Sequence, residues 1–171
     1  MMENIRAALT QDLYILKGGD EVILPRFTFH GYRYLEITGI NQAIPVSDVK
    51  GLVISSVMDL SSSFATSNEL VNKLWQNITW SLRSNFLSIP TDTPARNERM
   101  GWSGDISVFA KSATYLAQAN PFLRRHLLAM RDMQPENGRF TDVAPVGGGF
   151  GFQQFSDSKK RSQHEQADTN T

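Results

Sequence analysis

The sequence predicts a mixed fold in which a β-rich segment is followed by an α-helical segment. Residues 12–58 are dense in aromatic and β-branched side chains, which alternate with polar ones as in strands that bury one face. From residue 66 onward, apolar residues instead recur every three to four positions, which is the period of a helix packed on one side. The chain of 171 residues therefore changes its secondary-structure class near residue 60.

The β-rich segment contains a hairpin signal, a bend and a final strand. Two short runs, LYIL and EVIL, flank Gly18-Gly19-Asp20, which is typical of a tight turn between antiparallel strands. In RFTFHGYRYLEITGI, two pairs of alternating aromatic residues flank Gly31, and a glycine at such a point predicts a bulge or bend. The run GLVISSVM, residues 51–58, is the last predicted strand. Together these runs predict a short antiparallel β module.

The first predicted helix begins at a capping box. Thr66 and Glu69 have the Thr-x-x-Glu spacing in which each side chain bonds a backbone N–H of the first turn. The helix should end near Phe86, because the residue before Pro90 is biased away from the helical conformation. Its predicted apolar stripe consists of Leu70, Leu74, Ile78 and Leu82, widened by Val71, Trp75 and Phe86.

Two further helices and a polar tail follow. Residues 105–119 fit a second helix, and residues 121–133 fit a third with Asn120 as N-cap and Pro121 at its first position. Residues 153–171 contain almost no side chain that could be buried. We therefore expect a disordered tail there, because such a segment cannot offset its ordering entropy.

Composition and charge exclude several classes of function. The chain has 17 basic residues (Lys and Arg) and 17 acidic residues (Asp and Glu), so its formal net charge is zero. There is no excess of positive charge that would indicate binding to nucleic acid or to an anionic membrane. The absence of Cys excludes a disulfide framework and a thiolate zinc site, and the three His are scattered. Neither a signal peptide nor a membrane-spanning run is seen, so a cytoplasmic location is the default expectation. We expect neither a metal nor another cofactor.

Ionisable and aromatic chemistry concentrates in PTDTPARNERMGWSGD, residues 90–105, between the first two predicted helices. Carboxylates held close together raise one another's pKa, and an apolar neighbour raises it further, so a Glu beside Trp102 can act as a general acid. Other carboxylates would accept hydrogen bonds from sugar hydroxyls, and Trp102 would offer an apolar face to a ring. Arg96 or Arg99 would orient a carboxylate. Residue types alone also permit a solvated loop whose acids pair with its arginines.

The same stretch carries a resemblance to a known family. DTPARNERMGWSGD closely resembles the D-C-P-Q-R-D-E-R-L-G-W-T-G-D signature of bacterial α-L-rhamnosidases, glycoside hydrolase family 78. FTFHGYRYLEITG is similar to the strand that closes the family's β-sandwich, and residues 67–92 resemble the first barrel helix with the run into the motif. MRDMQPENGRFTDVAPVGGG resembles the segment leading to the third hairpin. The resemblance covers residues 3–152, and Thr93, Ala95 and Asn97 depart from the signature's Cys, Gln and Asp.

The resemblance implies roles for five residues of the motif. Glu98 would be the general acid that protonates the glycosidic oxygen. Asp92 and Asp105 would bind the rhamnose hydroxyls, Arg96 would help to hold that array, and Trp102 would line the sugar pocket. The family inverts configuration, so a second carboxylate must activate a water from the opposite face, roughly 6.5–9.5 Å from the acid. The resemblance places that base far downstream in the barrel.

The resemblance also implies an incomplete fold. Residues 1–60 would be the last strands of an antiparallel β-sandwich, and residues 61–152 the first helices of an (α/α)6 six-hairpin barrel. Twelve helices of about 11 residues with connections of about five need roughly 190 residues, whereas three fit here. We therefore expect a fragment whose last residues, 153–171, are not family sequence because the reading frame is shifted or truncated after about Gly151. Uncovered apolar faces would favour low solubility and self-association.

Five residues outside the motif are assigned from their positions. His30 is expected to be a packed or hydrogen-bonded structural residue, and His126 to lie on a solvated face of the third helix beside two arginines. Asp142 is a candidate sugar contact, because its loop can reach the cleft. Trp75 and Trp80 are predicted core residues of the first helix.

The predicted function is hydrolysis of terminal non-reducing α-L-rhamnose residues by inversion, with Glu98 as the acid. The partners would be rhamnose-containing glycosides or polysaccharides, and a truncated chain is expected to be inactive alone. Two alternatives stay open. One is a non-catalytic remnant with at most weak rhamnose binding, and the other is an (α/α)6 glycosidase that acts on another sugar.

Overall fold

The computed structural model describes residues 5–145, and these divide into two compact units. The first unit comprises the described residues up to Val53 together with Thr93–Arg99. The second unit comprises Ile54–Asp92 and the described residues from Met100 onward. The predicted tail, residues 153–171, lies outside the described residues.

The second unit contains the regular secondary structure. Its elements in chain order are α1 (Glu69–Asn85), β1 (Phe86–Leu87), β2 (Ile89–Pro90), α2 (Ser103–Leu116) and α3 (Asn120–Asp132). β1 and β2 form a minimal antiparallel pair around Ser88, which has a φ of 62°. The first unit contributes a 3₁₀ turn, Val46–Asp48. All three predicted helices are thus present, with ends that differ by up to three residues.

The start of α1 differs from the predicted capping box. Asn68 is the N-cap, and its side-chain oxygen accepts hydrogen bonds from the N–H groups of Leu70 and Val71 at 3.0 and 3.3 Å. Thr66 lies two residues before Asn68, and its hydroxyl accepts a hydrogen bond from the N–H of Asn68. Asn is as strong an N-cap as Thr, and a cap must immediately precede the first helical residue, here Glu69. Thr66 and Glu69 therefore have the spacing of a capping box, but Thr66 is not the N-cap of the helix.

The other helix ends also have local causes. α2 ends at Leu116 rather than 119, because Ala117 is extended, with φ −147° and ψ 168°, and forms an antiparallel bridge with Leu60. In α3, Asn120 is the first helical residue and not the cap, since Ala119 precedes it without a side-chain cap. Pro121 stands in the first turn, where its missing N–H leaves no helical hydrogen bond unmade.

The helices of the second unit meet at an aromatic core. Phe86 stacks on Phe122 of α3 with ring centroids 4.3 Å apart, and its ring meets the edge of Phe109 of α2 at 6.1 Å. The buried members of this core are Val57, Leu82, Phe86, Ile106, Ala113, Leu116, Ala117, Ala119 and Phe122. The core fixes the backbone directly before the motif, because Phe86 begins β1 and β2 begins three residues later, at Ile89.

Only one end of the predicted apolar stripe on α1 is buried. Leu82 is buried, whereas Leu70 and Leu74 are 81% and 57% exposed. Trp75 is partly buried against the core, as predicted, and its ring lies 5.7 Å from that of Phe64. The prediction for Trp80 was wrong: its side chain is more than half exposed and lies against the guanidinium of Arg83, 5.0 Å from the ring centroid. Trp80 follows buried Thr79 and points away from the core.

The strands predicted for residues 12–58 are not formed among the described residues, so the sandwich part of the fold prediction is not confirmed. Gly18 and Gly19 do adopt positive φ values and make a turn, in which Glu21 accepts hydrogen bonds from the N–H groups of Lys17 and Gly18. However, the flanking runs do not pair, and their apolar side chains are largely exposed. Alternating composition marks a face suited to burial, but a strand forms only beside a partner strand with a second layer to cover it.

Among residues 5–145, no helix combines the length and apolarity needed to cross a membrane. The cytoplasmic location stays a prediction from the sequence.

Candidate functional site

In the first unit, the motif loop Thr93–Arg99 holds Glu98 in a fixed orientation. The Glu98 side chain is only 17% exposed, and its Oε2 accepts a hydrogen bond from Nη2 of Arg96. Arg6 places a second guanidinium nitrogen 3.8 Å from the same oxygen. A charge-assisted contact between two largely buried side chains restricts the carboxylate far more than an exposed pair would. The structure thus brings together Arg96 and Glu98, two of the five predicted site residues.

Arg99 has a different function from Arg96, although the sequence offered both as partners for a carboxylate. Arg99 has a φ of 50°, and its side chain turns toward Phe29. Its Nε donates to the carbonyl of Pro94 at 3.0 Å, and its Nη2 donates to the carbonyl of Phe29 at 2.5 Å. Burial lowers the pKa of its guanidinium. Arg99 therefore supports the loop, and Arg96 contacts the acid.

In the second unit, short backbone pairings assemble the rest of the motif. Thr91 pairs with Gly101, and Trp102 pairs with Val143. The N–H of Ser103 donates to the carbonyl of Asp142 at 2.7 Å, which extends the second pairing. Because Asp92 directly follows Thr91, and Asp142 directly precedes Val143, both aspartates lie beside the Gly101–Trp102 backbone. Asp92 and Asp142 are exposed and Trp102 is half-buried, so all three remain accessible to a ligand.

Gly101 is required where these pairings meet. A Cβ atom at this position would lie 2.5 Å from the carbonyl oxygen of Ala144, a distance that real Cβ atoms essentially never show. The N–H of Ala144 donates to the carbonyl of Gly101 at 2.9 Å, so the two backbones are in direct contact. The glycine of the motif thus permits the pairing that places Asp142 near Trp102.

His126 lies beneath this pairing, and the sequence prediction of a solvated position was wrong. Its side chain is 2% exposed, and its Cε1 would lie 3.4 Å from a Cβ on Gly101. Neither ring nitrogen has a hydrogen-bond partner within residues 5–145. Burial, followed by the positive charge of Arg125, lowers the pKa of His126. The adjacent arginines obscured a usable signal, namely that His126 lies four residues after buried Phe122 and hence on the same helix face.

Asp105 is the third residue of α2 and is exposed. A carboxylate in the first turn interacts favourably with the partial positive charge at a helix N-terminus. The helix begins at Ser103, two residues earlier than predicted, which places Asp105 inside the first turn.

The five predicted site residues are distributed over both units. Arg96 and Glu98 belong to the first unit, whereas Asp92, Trp102 and Asp105 belong to the second. Within the first unit, Oδ2 of Asp12 accepts a hydrogen bond of 2.9 Å from Nε2 of His30, as expected for a structural histidine. Over the described range 5–145, no group of three or more His, Asp or Glu side chains is placed to hold a metal ion.

Two family models match the chain in succession. Residues 1–55 match the concanavalin-like domain of bacterial α-L-rhamnosidases. Residues 59–160 match the six-hairpin glycosidase domain of bacterial α-L-rhamnosidases. The second match covers more than half of the chain and contains the whole motif.

Two curated relatives and one solved structure agree with these matches. An α-L-rhamnosidase of Streptomyces avermitilis is 49% identical over 149 residues, and one of Formosa agariphila is 41% identical over 146. These alignments cover 86% and 84% of the chain but only 14% and 16% of the relatives. The crystal structure of the Streptomyces avermitilis enzyme complexed with L-rhamnose superposes on 56% of the chain and 9% of its own, with a TM-score of 0.54 and 51% identity.

Proposed function

The chain belongs to the bacterial α-L-rhamnosidase family, whose six-hairpin glycosidase domain it matches over residues 59–160, and from this premise we propose that it carries the acid-bearing part of a glycoside hydrolase. The reaction is hydrolysis of terminal α-L-rhamnose residues with inversion. The observation that carries the proposal is the mostly buried Glu98 carboxylate, which Arg96 holds within the family motif.

The proposed mechanism assigns proton donation to Glu98. The carboxyl group gives its proton to the glycosidic oxygen as the bond to the sugar breaks, so the leaving group departs as a neutral alcohol. Arg96 keeps Oε2 fixed, and a fixed donor places its proton along the path to the leaving oxygen. Inversion also requires a carboxylate that activates the attacking water, and the proposal assigns no residue of 5–145 to that role.

We assign sugar binding to residues of the second unit. Asp92 and Asp105 present exposed carboxylates that can accept hydrogen bonds from rhamnose hydroxyls. The half-buried ring of Trp102 offers an apolar face to the C–H side of a sugar. Asp142 joins this set, because its backbone bonds to the residue after Trp102.

The test is turnover of an aryl α-L-rhamnoside by the chain and by Glu98→Gln. The amide keeps the shape of the side chain but has no acidic proton, so we expect turnover to fall by roughly 10²–10⁴-fold. Glu36→Gln is the matched control, because it removes an exposed carboxylate from the same unit. NMR identifies the anomer of rhamnose that is formed first, and this shows whether the configuration is inverted. Measurable turnover by the chain that is equal in Glu98→Gln would remove the assigned role.

A second candidate function is rhamnose binding without hydrolysis. The chain spans 14–16% of the length of the two curated relatives described above, and this observation favours it. Calorimetry with L-rhamnose tests it, with Trp102→Ala expected to abolish the binding heat. Trp80→Ala is the control, because Trp80 is an exposed tryptophan of the same unit. Absence of heat from the unchanged chain would eliminate this candidate.

We also propose a domain boundary near residue 60, with residues 1–60 in the sandwich domain and 61–152 in the barrel. The separate family matches to residues 1–55 and 59–160 support it. The exposed apolar side chains on the helices support a further proposal, that copies of the chain self-associate through them.

A further inference from the structure

The loop that carries Glu98 rests on a short segment of the first unit, Phe29–Gly31. A Cβ atom on Gly31 would lie 2.8 Å from the Cβ of Ala95 and 3.1 Å from its Cα. The first distance is one that real Cβ atoms essentially never show, and Ala95 has no flexible side chain that could move away. Only a glycine therefore allows the segment to approach the loop backbone this closely.

The other end of the loop is attached to the same segment through Arg99. Its guanidinium lies 3.9 Å from the centroid of the Phe29 ring and donates to the Phe29 carbonyl. The same side chain donates to the carbonyl of Pro94, so it also ties the loop to itself. Arg99 makes these contacts from a left-handed backbone conformation, which a non-glycine residue adopts only when its surroundings impose it.

We propose that Phe29–Gly31 is the positioning surface of Glu98, with Gly31 and Arg99 as positioning residues. The inference rests on the proposed role of Glu98. Three residues separate Ala95 from Arg99, and they include both Arg96 and Glu98. Fixing both ends of so short a span fixes the backbone that carries the acid and its partner. A displacement of about 1 Å at a reacting group can reduce catalysis by about 10²-fold.

The chain offers a matched pair of variants for testing this surface. Gly31→Ala introduces one methyl group against Ala95 and leaves every side chain of the motif unchanged. Gly51→Ala introduces the same methyl group in the same unit, where its closest contact is the Tyr32 hydroxyl at an ordinary 3.5 Å. Neither glycine has a positive φ, so neither substitution strains the backbone by itself.

Limited trypsin digestion with mass spectrometry measures how readily the loop leaves its contacts and becomes accessible to cleavage. The bonds after Arg96 and Arg99 become cleavable only when those side chains leave their partners. We expect Gly31→Ala to accelerate cleavage at both bonds by roughly tenfold, and Gly51→Ala to leave it unchanged. Cleavage after Arg124 and Arg125 of α3 is the internal reference, because general unfolding would accelerate those cuts as well.

Phe29→Leu provides a second variant that keeps the carbonyl acceptor and removes the aromatic ring. We expect it to accelerate the same two cuts, by less than Gly31→Ala does. If both variants are cleaved at the loop at the rate of the unchanged chain, the positioning surface is refuted. If all bonds are cleaved faster, including those in α3, the contact is a general stabiliser of the fold and the inference is likewise refuted.

Turnover of an aryl α-L-rhamnoside separates this inference from the proposed function. We expect Gly31→Ala to lower kcat by roughly 10²-fold with little change in KM, because the acid moves while the sugar contacts of the second unit remain. If Glu98→Gln lowers turnover and Gly31→Ala does not, Glu98 keeps its role as the acid, and the positioning role of Phe29–Gly31 is overturned. Faster loop cleavage in Gly31→Ala, with turnover insensitive to Glu98→Gln, would retain the loop contact and remove the catalytic role.

Discussion

His126 is a buried imidazole whose two nitrogens lack hydrogen-bond partners within residues 5–145. The neutral ring is tolerated there, but a protonated ring would be a buried charge beside the positive charge of Arg125. Because burial lowers its pKa in the folded protein, the unfolded chain binds the proton more readily. Its contribution to stability is therefore fully present above the ordinary pKa of about 6.5 and is lost as the pH falls below that value.

The prediction is that the free energy of unfolding falls as the pH decreases below about 6.5, with His126 contributing at most about 1.4 kcal/mol per pH unit. Urea unfolding at a series of pH values measures this slope. His126→Gln removes the titration and should give a shallower slope, whatever its effect on stability at neutral pH. Identical slopes for the two proteins would show that His126 takes up no additional proton on unfolding.

Sequence reasoning identified the motif residues but not how their side chains are used. Arg96 and Arg99 are both basic residues near Glu98, and nothing in their spacing distinguishes them. The difference comes from the positive φ of Arg99 and from Phe29, which lies 70 positions earlier in the chain. His126 was misassigned because its sequence neighbours are charged, although its i−4 neighbour is buried.

Helix α1 depends on a cap that only the structure identifies. Asn68 satisfies two backbone N–H groups, those of Leu70 and Val71, which otherwise have no helical partner. We expect Asn68→Ala to reduce the free energy of unfolding by about 1 kcal/mol, and Asn68→Asp to restore most of it, because Asp is an equally good cap. Thermal or urea unfolding followed by circular dichroism measures the change.

The control for this prediction is Asn77→Ala. Asn77 is an exposed residue in the middle of α1, where Ala has the higher helix propensity. We expect this variant to match or slightly exceed the unchanged chain in stability. A loss in Asn77→Ala as large as that in Asn68→Ala would mean that the cap contributes nothing specific.

The elements predicted best are those whose signals are local. The helices of the second unit follow from a 3.6-residue period and from Pro90 and Pro121, all of which act within one or two turns. A strand depends on a partner that can be far away in the chain, and residues 12–58 do not pair with one another in the described structure. The pairing of Trp102 with Val143 was missed for the same reason, because it joins positions 41 residues apart.

For the whole molecule, the family resemblance predicts the domain architecture, whereas composition and periodicity predict only single helices and strands. Period and capping predict three helices, but they do not indicate a six-hairpin barrel. The family match to residues 59–160 does indicate a six-hairpin glycosidase domain, and the chain spans 14% of its Streptomyces avermitilis relative. In the described part of the chain, each of the three helices carries exposed apolar side chains.

These exposed faces lead to a prediction about association. Leu70 and Leu74 are one helical turn apart on α1 and are mostly exposed, as are Val108 on α2 and Leu127 on α3. Contiguous exposed apolar surface favours association, because burying it releases roughly 25 cal/mol per Å². We expect the average mass measured by analytical ultracentrifugation to rise with concentration. The double variant Leu70→Gln with Leu74→Gln should shift this rise to higher concentration.

Val46→Gln is the control for the association prediction, because Val46 is a similarly exposed apolar residue of the first unit, on a 3₁₀ turn. If association depends on the stripe of α1, this variant should associate like the unchanged chain while the double variant does not. Equal weakening by both would mean that total apolar exposure drives association, with no contribution specific to α1. A strictly monomeric chain with a sharp, cooperative thermal transition would contradict the prediction, since it would show that the exposed stripe has no tendency to be covered.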